Sequence, residues 1–220
     1  MKQRIVITGA SDGLGAALLQ AANKRGYETI NISRRKNKEA TSNILLDMSR
    51  AESIAEAAKF INTMDHLKAI IFCAGVFSYG NPATVNIEEY ERVMNINLKS
   101  PLLLTAQVYD TVRSDGIDLV YINSVASQKP FTNQLLYDVS KWSLRGLIED
   151  VGLELRDTKS RVIGVYPGML DTDIAQKLPT PLPKSKHPMI PPKDLAELIM
   201  ETVSAPRSME VTDIIIDRKK

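Results

Sequence analysis

Short β-branched runs alternate with longer amphipathic stretches along this chain, and that alternation points to parallel βαβ units rather than an all-helical or all-β fold. Strands are predicted at 4–8, 28–32, 43–47, 69–72, 118–123, 161–166 and 211–216, most of them apolar enough to be covered on both faces. Helices are predicted at 13–25, 50–64, 87–112, 136–156 and 192–203. In the third, Ile87, Tyr90, Met94 and Leu98 recur at spacings of three and four residues and share one face, as in an ordinary core helix. The expected architecture is α/β, a single doubly wound parallel sheet of about seven strands with helices on both faces. A chain of 220 residues, 44% apolar, can bury a substantial core as one domain, residues 1–220. The segment 177–192 is the exception to regular structure: Pro179, Pro181, Pro183, Pro188, Pro191 and Pro192 forbid a long helix and predict an extended surface loop. The stretch 173–192 is expected to act as a substrate lid, a common use of long irregular loops.

A formal charge of +2, from 28 basic and 26 acidic side chains spread over the whole length, leaves no electrostatic footprint for nucleic acid or an anionic membrane. Small molecules are the expected ligands. Cys73 is the only cysteine, so an internal disulfide is excluded and a reducing compartment suits the chain. The N-terminus enters the first strand at once, leaving no room for a signal peptide, and no apolar run reaches membrane-span length. A cytoplasmic protein is expected. His66 and His187 have no ligand-like neighbours, so no metal site is expected.

Chemistry is concentrated in two places. The first strand ends in Thr8-Gly9-Ala10-Ser11-Asp12-Gly13-Leu14-Gly15 and passes into a helical pattern. Glycine there permits positive φ and close approach of backbone to a phosphate, while the first amides of the helix present partial positive charge to a pyrophosphate. The second strand runs into Ser33-Arg34-Arg35, without the carboxylate that usually holds the ribose of NAD. Two guanidinium groups can instead grip a 2′-phosphate, which favours NADP(H) over NAD(H); the alternative is a pair of solvated surface arginines. The other place is Tyr137-Asp138-Val139-Ser140-Lys141, where a separation of four stacks tyrosine and lysine on one helix face. A neighbouring ammonium favours the phenolate, so such a tyrosine can exchange a proton with a substrate oxygen.

The glycine spacing resembles the T-G-x-x-x-G-x-G form of the short-chain dehydrogenase/reductase family, a Rossmann-fold family, and the resemblance extends from Thr8 to Asp217. It implies a hydride transfer between NADP(H) and a carbonyl or alcohol, with Tyr137 exchanging the proton and Lys141 orienting the ribose and tuning the phenol. Ser124, 13 residues before Tyr137, matches the family serine that holds the substrate oxygen, although Ser127 lies near enough to confuse the alignment. Asn97 aligns with the family asparagine that anchors a relay water. Independently, Pro101 cannot donate to the Asn97 carbonyl, so a freed carbonyl and a local kink are expected.

The remaining cofactor contacts implied are Gly9, Ser11, Gly13, Leu14 and Gly15 at the turn, Asp47 with Met48 at the adenine, and Ala74 with Gly75 after the fourth strand. Pro167, Gly168, Leu170 and Thr172 are expected around the nicotinamide. Departures are Phe72-Cys73 where the family carries two asparagines, a shorter C-terminal end, and Asp12 where NADP-preferring relatives often carry a base. Family relatives commonly pair through the helices bearing Asn97 and Tyr137, so a homodimer or homotetramer is expected, with Leu102, Leu103, Leu104, Leu144, Leu147 and Ile148 serving either that contact or the core. The rival reading is a catalytically silent NADP(H)-binding sensor or scaffold.

Overall fold

The computed structural model describes residues 1–178, 180–183 and 187–218. Seven strands form one sheet in which every pairing is parallel: β1 (Arg4–Thr8), β2 (Glu28–Ser33), β3 (Ser42–Leu45), β4 (Leu67–Phe72), β5 (Asp118–Ile122), β6 (Val162–Pro167) and β7 (Asp213–Ile216). Their spatial order is β3-β2-β1-β4-β5-β6-β7, so the winding reverses between β1 and β4 and opens a crevice at the carboxyl ends of those two strands. The helices are α1 (Gly13–Lys24), α2 (Ala51–Asn62), α3 (Ile87–Met94), α4 (Ser100–Asp115), α5 (Leu135–Leu155) and α6 (Pro192–Ser204).

Strand alternation divides the buried side chains between two cores. Val6, Ile70 and Tyr121 project to one face beneath α2, α4 and α5, whereas Ile5, Ile71 and Val120 project to the other beneath α1 and α6. Each fully buried leucine or isoleucine contributes roughly 1.5–3 kcal/mol relative to exposure, which makes these faces the main source of stability. Among the described residues no helix is long and apolar enough to cross a membrane.

The sequence-based helix at 87–112 needs correcting. It is two helices joined by a π-helical turn over Asn95–Lys99, in which the Ser100 N–H donates to the Asn95 carbonyl. Pro101 is the cause, since it cannot supply the next α-type donor. The expected strands at 43–47, 118–123 and 211–216 are shorter in the structure. β3 ends at Leu45, β5 at Ile122, and β7 starts at Asp213. Of the leucine-rich set on α4 and α5, Leu104, Leu144 and Ile148 are core residues, Leu103 and Leu147 pack partly against the core, and Leu102 is exposed. The chain from 168 to 191 contains no helix among its described residues. Pro179 and Lys184 to Lys186, within the expected lid, lie outside them.

At the amino ends of the strands, opposite the crevice, Asp118 is fully buried at the start of β5. Its carboxylate meets Lys68 of β4 at 3.2 Å, Arg161 beside β6 at 2.7 Å, and Arg207. The arginines spend their other N–H groups on carbonyls: Arg161 donates to Val203, Ala205 and Met209, and Arg207 to Gly116 and Lys159. Of these carbonyls, Gly116 lies at the carboxyl end of α4 and Val203 and Ala205 at that of α6, and the negative partial charge of those helix ends offsets the surplus of cations.

Candidate active site

The glycine turn closes the crevice at the winding reversal. Gly9 (φ 72°) and Gly13 (φ 56°) adopt left-handed backbone conformations that other residues seldom accept. A Cβ on Gly9 would lie 2.7 Å from the Ala74 Cα, so the turn packs directly on the end of β4. Thr8 Oγ1 accepts the N–H groups of Cys73 and Ala74 at 3.2 and 3.3 Å, tying β1 to β4 at a point where this chain lacks the family asparagines. Gly15 leaves no room for a side chain, because a Cβ there would meet the Gly9 carbonyl at 2.4 Å. Asp12 is the N-cap of α1, yet its side chain does not cap the helix. The first amides of α1 are therefore open to an anion, and the turn fits a dinucleotide pyrophosphate.

Beyond the turn, the loop after β2 is braced by asparagines that sequence reading overlooked. Asn31 donates to the Arg35 carbonyl at 3.0 Å and to Asn43 at 2.9 Å, while Asn37 donates to the Ala10 carbonyl at 2.9 Å. Their only signal is the clustering of asparagine around a strand end, which a loop reading absorbs without remark. Ser33 is buried and donates to the Arg35 carbonyl at 2.7 Å. Arg34 is exposed and its charge acts on Asp47. Arg35 instead pairs with Asp12 and reaches the Ser11 hydroxyl at 3.4 Å. Burial raises the Asp47 carboxyl, but donation from the Ser49 N–H and hydroxyl, with the charges of Arg34 and Arg50, holds it below its usual range. Met48 packs its side chain into the core, which leaves its backbone as the part able to meet a nucleotide.

Ser124, just past the end of β5, accepts the Ala126 N–H at 3.1 Å and is near enough to the Tyr137 hydroxyl to lower its pKa. Ser127 is buried and donates to the Ser124 carbonyl, so of the two serines it is Ser124 that faces the phenol. The Lys141 Nζ lies 5.8 Å from the Tyr137 ring centroid and donates to the Ile122 carbonyl at 2.9 Å. Burial lowers the Lys141 ammonium to about 8. Tyr137 departs from the expected lowering: burial raises the phenol, the Ser124 hydrogen bond opposes this, and the charge of Asp138 adds to it. The lysine cation is directed at a carbonyl, and in this arrangement Tyr137 is a protonated acid.

Asn97 is buried in the π-helical turn. Its side chain accepts the Val76 N–H and donates to the Val76 carbonyl, both at 2.9 Å, and donates to Ser140 at 3.0 Å, beside Lys141. Gly75 lies against Asn97, where a Cβ would come within 3.6 Å of the amide oxygen. Asn123 is another residue that sequence reading missed: it is 2% exposed, and neither its amide oxygen nor its nitrogen has a partner among the described residues. It immediately follows the carbonyl that takes Lys141. Cys73 is half-buried against the α1–α6 core, and loss of solvent pushes its thiol up to about 12, which makes it unreactive.

The segment after β6 completes the crevice. Pro167 ends the strand, and a Cβ on Gly168 would meet the Asp217 carboxylate at 2.4 Å. Leu170 forms a bridge to Ile190 and packs partly into the α1–α6 core. The Thr172 methyl would lie 3.5 Å from a Cβ on Gly13, which brings this segment against the glycine turn.

A winding-reversal crevice with a phosphate-sized turn on one side and a serine–tyrosine pair on the other defines a dinucleotide-binding α/β protein. A family profile described as short chain dehydrogenase matches residues 3–182, and the chain belongs to that family of oxidoreductases. It is 25% identical to a sepiapterin reductase from Chlorobaculum tepidum over 98% of this chain and 96% of the relative. An alcohol dehydrogenase from Thermococcus sibiricus, complexed with 5-hydroxy-NADP, has a similar structure, with a TM-score of 0.87 at 22% identity over 98% of this chain and 96% of that one. A 3-ketoacyl-(acyl-carrier-protein) reductase from Brucella melitensis, complexed with NADH, superposes with a TM-score of 0.83 at 19% identity over 98% and 96% of the two chains.

Proposed function

We propose that this protein is an NADP(H)-dependent reductase of small carbonyl compounds, able to oxidise the corresponding alcohols in reverse. The observation that carries the reading is the convergence of Ser124, Tyr137 and Lys141 beyond the end of β5: Ser124 acts on the Tyr137 phenol, and the Lys141 Nζ lies 5.8 Å from the tyrosine ring centroid. When bound, NADP(H) supplies or accepts the hydride. Tyr137, held protonated by burial, delivers its proton to the carbonyl oxygen while the Ser124 hydroxyl donates a hydrogen bond to the same oxygen.

Lys141 holds the ribose hydroxyls and, once the pocket is filled, stabilises the phenolate that proton donation leaves. Asn97 keeps the Val76 backbone and the start of α5 in register, and its own carbonyl holds the water through which Lys141 is reprotonated. The unpaired Asn123 amide supplies further polar contacts for such a water. At the turn, Gly9, Ser11, Gly13, Leu14 and Gly15 hold the pyrophosphate, and Arg34 and Arg35 with Ser33 take the 2′-phosphate. Asp47 with the Met48 backbone borders the adenine, and Ala74, Gly75, Pro167, Gly168, Leu170 and Thr172 enclose the nicotinamide end. The 173–192 stretch covers the substrate. Exposed Leu102, Val139 and Trp142 on α4 and α5 suit pairing into a homodimer or homotetramer, and a cytoplasmic location suits a sequence whose one cysteine, Cys73, is a free thiol.

Turnover of model diketones and quinones with NADPH tests this reading. Tyr137→Phe is expected to cut kcat by about 10²- to 10⁴-fold with cofactor binding retained. A phenylalanine variant that keeps most of the activity would remove Tyr137 from the chemistry.

A further inference from the structure

Asp12 is placed where it should cap α1, with an extended backbone (φ −157°) and one of the best N-cap side chains, yet it accepts no amide from its own helix. Elsewhere in the chain the expected behaviour is seen: Asn86 caps α3 by accepting the Glu89 N–H at 2.9 Å. The difference at Asp12 is electrostatic. Its Oδ2 receives both the Arg35 guanidinium and the Lys177 ammonium, the latter at 2.7 Å from a residue 165 positions away in the proline-rich connection. Burial raises the Asp12 carboxyl, and the hydrogen bonds and charges of Lys177 and Arg35 outweigh it and hold the group ionised. Two cations thus hold an anion clear of the helix amides that a cofactor phosphate needs. Released, the carboxylate would swing onto those amides and oppose the phosphate.

The two cations are not equivalent once NADP(H) binds, because Arg35 is one of the groups assigned to the 2′-phosphate. We infer that Lys177 is a positioning residue for cofactor selection: it retains the Asp12 carboxylate when Arg35 turns to the 2′-phosphate, so that NADPH is bound without a carboxylate competing at the start of α1. The inference rests on the NADP(H) reading above. With NADH, Arg35 stays on Asp12 and Lys177 is dispensable. The Lys177 pair therefore acts on the ratio of the two affinities, and it couples the 168–178 segment to the identity of the cofactor.

The test is a titration of the purified full-length protein with NADPH and with NADH, followed by nicotinamide fluorescence at fixed moderate salt. The proteins compared are wild type, Lys177→Ala, Asp12→Asn and the double variant, with thermal unfolding of each to show that it is folded. Lys177→Ala is expected to weaken NADPH roughly three- to fivefold, in keeping with an exposed ion pair acting at a helix terminus, and to change NADH less than about twofold. In the Asp12→Asn background the same lysine change is expected to cost NADPH binding less than about twofold, since no carboxylate remains to be held. An unchanged NADPH affinity in Lys177→Ala, an equal loss for both cofactors, or a loss that persists with Asn at position 12 would each overturn the inference while leaving the NADP(H) reading in place. A wild type that binds NADH as well as NADPH, or better, would overturn that reading and the inference with it.

Discussion

Lys141 carries a cost that the fold bears for the sake of the site. Burial lowers its ammonium from 10.5 to about 8. Between those values the unfolded chain binds more protons than the folded one, so stability rises with pH across that window, and the penalty is fully present below about 8. Lys141→Met, which keeps the length and removes the charge, is expected to raise the unfolding free energy at pH 7 by about 1–3 kcal/mol and to flatten the rise above pH 8, with activity lost. Urea titrations of both proteins at pH 7 and pH 10 check this, and a variant no more stable than wild type at pH 7 would contradict it. At this scale the sequence was informative where spacing along one helix or from one strand end defines a contact, as for Tyr137, Lys141 and Ser124. It was silent where partners come from distant segments. Nothing near Asp12 in the sequence announces Lys177, and a proline-rich stretch says that a loop exists without saying where it leans.

Among the elements, the π-helical turn at Asn95–Lys99 joins backbone chemistry to the site. Pro101 was visible as a break in donor supply; the form of the break was not, because a proline defines which hydrogen bond is missing and leaves open how neighbouring residues rewind. The wider turn sets Asn97 between the Val76 backbone and Ser140, bridging the β4 loop to α5. Pro101→Ala supplies the missing N–H and favours rewinding into a regular α-helix. Stability is expected to stay within about 1 kcal/mol of wild type while kcat falls about tenfold, because Asn97 shifts relative to Lys141. Thermal unfolding together with steady-state kinetics checks the pair of outcomes. Retained kcat would mean that the turn does not position Asn97 for catalysis.

Across the whole molecule, strand alternation was enough to anticipate a parallel sheet and its two apolar faces, since both follow from local pattern. The Asp118 cluster was not legible: Lys68 and Arg161 lie 50 and 43 residues from it in sequence and meet it only because β4 and β6 flank β5. Burial lowers the Lys68 ammonium, and the Asp118 charge opposes that shift. Asp118→Asn leaves the surrounding cations without their counter-charge and is expected to cost about 3–5 kcal/mol, read as a lower denaturation midpoint. A loss under about 1 kcal/mol would show that the helix carbonyls alone hold the cluster. The cluster sits at the opposite ends of the strands from the crevice, and changes at sites so far apart combine almost additively. The molecule is thus a chassis secured at its base. Exchange of loops 78–81 and 128–134 at its top is expected to leave the denaturation midpoint nearly unchanged, because neither loop supplies a partner to Asp118.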